Sequence, residues 1–239
     1  MNLNLSEIEE KEIQTLDFES LENLKTSENI SSNLKEEQWL SQRRGKFTSS
    51  QVYRLMTCLE KDELPKGAIT YIEEIIVDEL TEGKGAERFK SEDMQRGNDT
   101  ELEAIARFEK ETSLKVYATG EEQEFVELCN YFGGTPDGLI DNDCLIEVKC
   151  PKSKTHLFYL KNLKTQEDLK KHCTNYYWQI QGNLLATGRS KAFFISYDDR
   201  FTKPEHQILI LKIERNNEDI ELLKKRLKLA ERTKKQMMI

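Results

Sequence analysis

An aspartate held between a proline and a glycine, followed ten residues later by a glutamate and a lysine two positions apart, is the pattern in this chain best suited to chemistry. The first part, Gly134-Thr135-Pro136-Asp137-Gly138, reads as a tight turn. The second, Cys144-Leu145-Ile146-Glu147-Val148-Lys149-Cys150-Pro151, reads as a strand. Strand side chains alternate faces, so Glu147 and Lys149 point one way while Val148 points into the core. The turn can aim the Asp137 carboxylate at the same spot. Two carboxylates and an ammonium converging on one point are what a hard divalent cation and an attacking water require. Either half alone would be structural, because Pro-Asp-Gly commonly joins strands and Glu-Val-Lys is ordinary alternation with an exposed ion pair. The short spacing and the apolar residues on both sides favour the chemical reading for the two together.

Three further segments could serve such a centre. Gly97-Asn98-Asp99-Thr100-Glu101 reads as the opening of a helix, with Glu101 in its first turn. The helix dipole alone would favour an acid there. A third carboxylate is also what a pair of divalent ions, about 3.5–4 Å apart, would need. Tyr176-Tyr177-Trp178-Gln179 begins a later helix, where Gln179 could bond an active-site water or a phosphate, or simply be solvated. Arg43-Arg44-Gly45-Lys46-Phe47-Thr48-Ser49-Ser50 combines cations with a hydroxyl-rich segment that reads as a helix start. An arginine fork, hydroxyls and helix N–H groups suit a phosphate monoester.

Composition narrows the class. The 239 residues, 37% apolar and 33% charged, allow a sizeable core under a charged surface. No apolar run approaches the eighteen or so residues of a membrane span, and the start lacks a secretory signal, so a cytoplasmic location without membrane association is expected. Five scattered cysteines without a Cys-x-x-Cys pair argue against a zinc ribbon, an iron–sulfur cluster or a disulfide framework. The three histidines are not at metal-ligand spacing. The net charge of −8 weighs against indiscriminate nucleic-acid binding, yet Arg43-Arg44-Gly45-Lys46, Lys152-Ser153-Lys154 and Lys170-Lys171 are local basic clusters.

The elements that would position these residues follow from periodicity. Residues 1–35 form an acidic extension and 36–239 a single domain. Helices are predicted over 36–43, from the Thr48-Ser49-Ser50 cap through Met56, over 68–80, 99–112, 156–160 and 175–185, and from 217 to about 238. Leu102, Ile105, Ala106 and Phe108 are core candidates in the fourth of these. Strands are predicted over 114–117, 124–128, 130–134, 138–141, 145–148, 191–197 and 207–214. Helices, a run of strands, a helix, two strands and a helix describe an α/β or α+β fold, with a central mixed β-sheet flanked by helices.

The ordered set of motifs resembles the phage-lambda-type exonucleases (YqaJ-like viral recombinases), a branch of the PD-(D/E)xK nuclease superfamily. The residues that carry the resemblance are Trp39, Arg43-x-Gly45-x-x-Thr48-x-Ser50, Gly97-x-x-x-Glu101-x-x-Ala104, Pro136-Asp137-Gly138-Leu139, Glu147-Val148-Lys149-Cys150-Pro151 and Tyr176-x-x-Gln179-Ile180-Gln181. The resemblance spans about residues 38 to 200. The resemblance implies that Asp137, Glu147, the Val148 carbonyl and Glu101 bind magnesium, two ions per site with manganese able to substitute. It implies that Lys149 orients or activates the attacking water, that Gln179 lines the same centre, and that Arg43, Thr48 and Ser50 bind a 5′-phosphate. Implied too are digestion of double-stranded DNA from its ends in the 5′→3′ direction, a role in recombination or repair, a homotrimeric ring and a single-strand annealing partner. An endonuclease on the same core and a non-catalytic DNA-binding protein are the competing expectations. A DNA-threading ring needs a positive lumen, which an acidic chain supplies only by clustering its cations inward.

Overall fold

Two mixed sheets carry the architecture of the computed structural model, which describes residues 37–59, 63–85 and 92–239. In the smaller sheet, β1 (Phe47–Thr48) lies parallel to β3 (Phe132–Gly134), which pairs in turn antiparallel with β2 (Val126–Cys129). The larger sheet runs β4 (Gly138–Ile140), β5 (Cys144–Lys149), β6 (Lys191–Tyr197), β7 (Ile208–Glu214). Its central pair, β5 and β6, is parallel and both outer pairs are antiparallel.

Parallel neighbours need a crossover. Here it is made by α4 (Ser153–Asn162), α5 (Gln166–His172) and α6 (Thr174–Thr187). The remaining helices are α1 (37–43), α2 (Lys66–Leu80), α3 (Glu92–Thr112) and α7 (Asn217–Met237). Contacts divide the chain into Met1–Trp39 and Leu40–Ile239, and the second unit holds both sheets. The acidic 1–35 extension lies outside the described residues.

The alternation expected in β5 is present. Leu145 packs with Phe194, Leu211, Tyr177, Trp178 and Ile180 on the α6 face. Ile146 and Val148 pack on the opposite face with Ile195 and with Ala104, Ile105 and Phe108 of α3. Glu147, in step with Leu145, therefore faces α6. Helix α6 touches both sheets and buries nine residues, the polar Gln181 and Asn183 among them. Each fully buried large side chain contributes roughly 1.5–3 kcal/mol, so this helix is a rigid support. It ends at Gly188, whose φ of 72° is the left-handed conformation that favours glycine. The next residue, Arg189, donates to the carbonyls of Ile140, Asp141 and Cys144 at 3.3, 2.9 and 3.0 Å and so fastens the β4–β5 hairpin to the end of α6.

Several local expectations differ from the structure. Helix α3 begins at Glu92, seven residues before the predicted start, so Glu101 lies well inside it and the first-turn explanation for that acid falls. Ala104 takes the core position expected of Leu102, which is 56% exposed, and Ala106 is also exposed. Thr48-Ser49-Ser50 caps no α-helix: Phe47 and Thr48 pair with Phe132 and Gly133, and a single 3-10 turn, Val52–Leu55, follows. Partners distant in sequence satisfy the backbone there and outbid the local capping signal. Residues 114–117 form no strand and contribute one isolated bridge, Tyr117 to Leu139. Helix α5, unforeseen, is fixed by a Thr165–Asp168 capping box.

Candidate active site

Strand register brings the central carboxylates together. Gly138 pairs with Ile146, and one step earlier the Asp137 N–H donates to the Ile146 carbonyl at 3.2 Å. The Val148 N–H donates to Asp137 Oδ2 at 2.7 Å, which holds that carboxylate against the end of β5. Lys149 Nζ is ion-paired with Glu147 Oε1 and lies 3.9 Å from Asp137 Oδ2, so one ammonium spans both acids. The Glu147 side chain is fully buried.

Three elements complete the surroundings. From α6, Asn183 Nδ2 donates to Glu147 Oε2 at 3.2 Å, and the Tyr176 ring centroid lies 5.4 Å from Lys149 Nζ. Gln179 falls between them on the same helical stripe (i, i+3, i+7) and is half-buried there. From α3, Glu101 accepts from Gln123 Nε2 at 2.7 Å, and the same amide reaches the Asp137 carbonyl at 3.3 Å. Asn183 Oδ1 is buried with no hydrogen-bond partner among the described residues. It lies where a side chain on Gly134 would sit, since a Cβ there would collide with both Asn183 Oδ1 and Ser49 Oγ. A glycine at the end of β3 is thus what lets α6 approach closely enough for Asn183 to reach Glu147.

The electrostatics are unbalanced. Burial, reinforced by the charge of Asp137, pushes the Glu147 carboxyl up to about 8. Burial and Asp137 likewise push Glu101 up to about 7. Asp137 is raised by burial, with Lys149 and the Val148 N–H opposing. Burial disfavours the Lys149 ammonium, but Glu147 and Asp137 outweigh it and hold the proton more tightly than usual. Three ionised carboxylates against one ammonium leave two negative charges in a largely dry site. That imbalance disfavours full ionisation unless a cation enters.

In this conformation, no three His, Cys, Asp or Glu side chains among the described residues are gathered tightly enough to hold a metal, because Asp137 and Glu147 are turned onto Lys149 and the Val148 N–H. The chemistry of the donor set still fits a hard divalent ion, being all oxygen, rich in carboxylate and short of positive charge.

The predicted phosphate-binding residues lie beside this centre. Arg43 Nη1 donates to Thr135 Oγ1 at 3.4 Å, two residues before Asp137, and its guanidinium lies 5.9 Å from the Phe125 ring centroid. Burial lowers the Arg43 pKa. The hydroxyls of Thr48 and Ser50 are 3.2 Å apart. A cleft of about 700 Å3, lined in part by Arg43, Lys46, Thr48 and Gln51, opens on this side. The backbone donors expected there are spent, the Thr48 N–H on Tyr71 Oη at 3.0 Å and the Ser49 N–H on the Gly133 carbonyl at 3.0 Å. The segment therefore offers no helix N-terminus to an anion, and only the Arg43 guanidinium and the Thr48 and Ser50 hydroxyls match the predicted phosphate ligands.

Asn183 and Gln123 were missed in the sequence. Asn183 had a signal, since it follows Gln179 by one helical turn on the same face. Gln123 had none, because it sits in an irregular segment with no periodicity to place it.

A mixed sheet that presents a carboxylate turn and a Glu-x-Lys strand to one helix is the PD-(D/E)xK nuclease core. The chain belongs to the YqaJ-like viral recombinase domain family, whose model matches residues 38–190. It is similar to the alkaline exonuclease LHK-Exo of Laribacter hongkongensis, with 30% identity, a TM-score of 0.71 and 84% of this chain covering 94% of that one. The same values hold for LHK-Exo in complex with dAMP. A phage-related exonuclease from Haemophilus somnus 129PT shares the fold, with 19% identity, a TM-score of 0.64 and coverage of 80% and 94%. No curated protein matches the sequence. Among the described residues, no helix is long and apolar enough to cross a membrane.

Proposed function

We propose that this protein is a magnesium-dependent exonuclease that digests double-stranded DNA from its ends in the 5′→3′ direction, in phage-type recombination or repair. The observation that carries the reading is the fully buried Glu147 carboxylate sharing one ammonium with Asp137, in a chain 30% identical to an alkaline exonuclease. Asp137, Glu147, the Val148 carbonyl and Glu101 would hold the magnesium, two ions at the complete site or manganese in their place, and the ions supply charge neutralisation at the scissile phosphate.

Lys149 keeps its proton at neutral pH, so it serves as a donor: it orients the attacking water and faces the charge that develops on the phosphate oxygens. Asn183 fixes the Glu147 carboxylate from behind, and Gln179 offers an amide to the same space. Arg43, with Thr48 and Ser50, takes the terminal 5′-phosphate through a charge-assisted contact that sets polarity. Backbone and end-phosphate contacts carry little sequence information, so specificity for sequence is slight. In this reading the chain is one subunit of a homotrimeric ring that works beside a single-strand annealing protein, and the mass in solution tests the trimer.

The deciding experiment is digestion of linear duplex phosphorylated on one 5′ end, with magnesium or EDTA, resolved by strand. Loss of the phosphorylated strand from its 5′ end only with magnesium is the expected result. Cleavage of closed circular DNA would make the protein an endonuclease, and absence of metal-dependent cleavage would leave only DNA binding. Arg43→Ala is expected to lower the rate on phosphorylated ends about tenfold and to leave hydroxyl ends nearly unchanged. Equal loss on both ends would remove Arg43 from that role.

A further inference from the structure

We infer a second nucleic-acid subsite, a base-stacking pocket between α4 and the α5–α6 junction that takes an unpaired nucleotide of the strand leading to the catalytic centre. The inference deepens the nuclease reading and rests on it for the identity of the strand. A cavity of about 430 Å3 lies there, with Lys154, Thr155 and Phe158 on one wall and His172, Asn175 and Tyr176 on the other. Its size suits a nucleobase rather than a duplex.

Four observations point to a nucleotide. Phe158 is 42% exposed in a strongly polar chain, and its ring meets His172 and Tyr159, both of which line the cavity, in T-shaped contacts at 5.8 and 6.1 Å between centroids. An exposed aromatic face beside a cation is the general means of gripping unpaired bases without reading sequence. No Asp or Glu lines the cavity, although acidic residues outnumber basic ones in the chain by 44 to 36, so the local charge set by Lys154 is complementary to a phosphate. Thr155 and Asn175 add hydroxyl and amide donors for backbone or base-edge oxygens.

Continuity with the centre is the fourth observation. Tyr176 lines the cavity and also stands 5.4 Å from Lys149 Nζ, so a single side chain separates the two spaces. Its ring is fixed by stacking on Phe194, at 5.8 Å and 27°. Along the chain, α4 starts four residues after Lys149. A strand whose phosphate sits at Asp137 and Glu147 therefore has a neighbouring nucleotide within reach of Phe158, and an end that enters this pocket must be unpaired. The pocket would thus favour frayed ends over closed ones.

The test uses the full chain in EDTA and a short single-stranded oligodeoxynucleotide carrying 2-aminopurine, so that binding is read without metal or cleavage. Wild-type protein is expected to quench the fluorescence by stacking. Phe158→Ala is expected to weaken binding ~10-fold and abolish the quench, while Phe158→Trp restores both. Lys154→Ala should lower the slope of log K against log salt by about 0.7, the value for one contact to single-stranded DNA. Absence of quenching by the wild type, or equal binding and quenching by Phe158→Ala, overturns the subsite. So does a change of mass on light scattering in Phe158→Ala with oligonucleotide binding intact, which would make this face a contact between copies of the chain. Because the readout needs no catalysis, a wild-type protein that binds and quenches but never cleaves would refute the nuclease reading alone.

Discussion

Two carboxylate clusters sit at the C-terminal ends of the parallel pair β5 and β6, and they differ in how their charge is met. Asp198, just beyond β6, is fully buried and accepts from Arg200 Nε and Nη2 at 2.7 and 3.0 Å and from Arg96 Nη2 at 3.3 Å. Burial opposes its ionisation, but hydrogen bonds from Arg200 and Ser153 prevail and lower its pKa. The same arginines reach the carbonyls of Cys150 and Pro151, so this cluster fastens the start of the crossover just after Lys149. Asp137, Glu147 and Glu101 share one lysine instead, and all three are held above the usual carboxylate range. Burial alone therefore does not mark a working site. An unmet charge does, because it is free energy that a bound cation or substrate can recover.

The largest test of that contrast is at Lys149. Lys149→Ala, or Asp137→Ala, is expected to reduce cleavage by at least ~1000-fold per folded molecule while the circular dichroism spectrum stays that of the wild type. Near wild-type turnover in either variant would break the comparison. Asp198→Asn should do the reverse. Removing the carboxylate from Arg200, with Arg96 still paired to Asp199, costs about 2 kcal/mol in urea unfolding, with activity per folded molecule largely kept.

A smaller effect is expected at Asn183, which donates to Glu147. Asn183→Ala should weaken magnesium activation ~10- to 100-fold, seen as a higher metal concentration for half-maximal rate. Asn183→Gln should restore part of it only if the amide can still reach Glu147. A uniform fall in rate at every metal concentration would assign Asn183 to packing instead.

The smallest effect lies in the pH dependence of stability. A carboxyl whose folded pKa is raised binds more protons in the native than in the unfolded state. Glu147 and Glu101, whose usual value is 4.5, therefore contribute stability that is lost as pH rises toward about 8 and about 7 respectively. Asp198 works in the opposite sense, since its depressed pKa makes its contribution present at neutral pH and lost only as pH falls through the folded value. Magnesium held at the first cluster, as proposed, would displace its protons. The rise in melting temperature that it causes should therefore be greater near pH 8.5 than near pH 5.5, and Glu147→Gln should flatten that difference. An equal rise at both values would mean that magnesium binds elsewhere.

The sequence by itself determined the chemistry-bearing turn and strand, because both are local. Pro136-Asp137-Gly138 sets a bend whatever surrounds it, and the two-residue period of β5 places Glu147 and Lys149 on one face. It also determined the amphipathic stripe of α7, where Ile220, Leu223, Leu227 and Ala230 are all buried as the periodicity requires. What tertiary structure decided is where distant segments compete for the same backbone groups or the same space. The Thr48-Ser49-Ser50 segment became the end of a strand because Phe132 and Gly133 lay alongside it, although its local signal favoured a helix cap. Glu101 joined the centre from deep within a helix that began earlier than its glycine and asparagine suggested. Asn183 reached Glu147 only because Gly134, forty-nine positions earlier, left room for α6 to close in. Such pairings depend on non-local packing, whose free energy is settled by the whole fold and leaves no periodic trace in the chain.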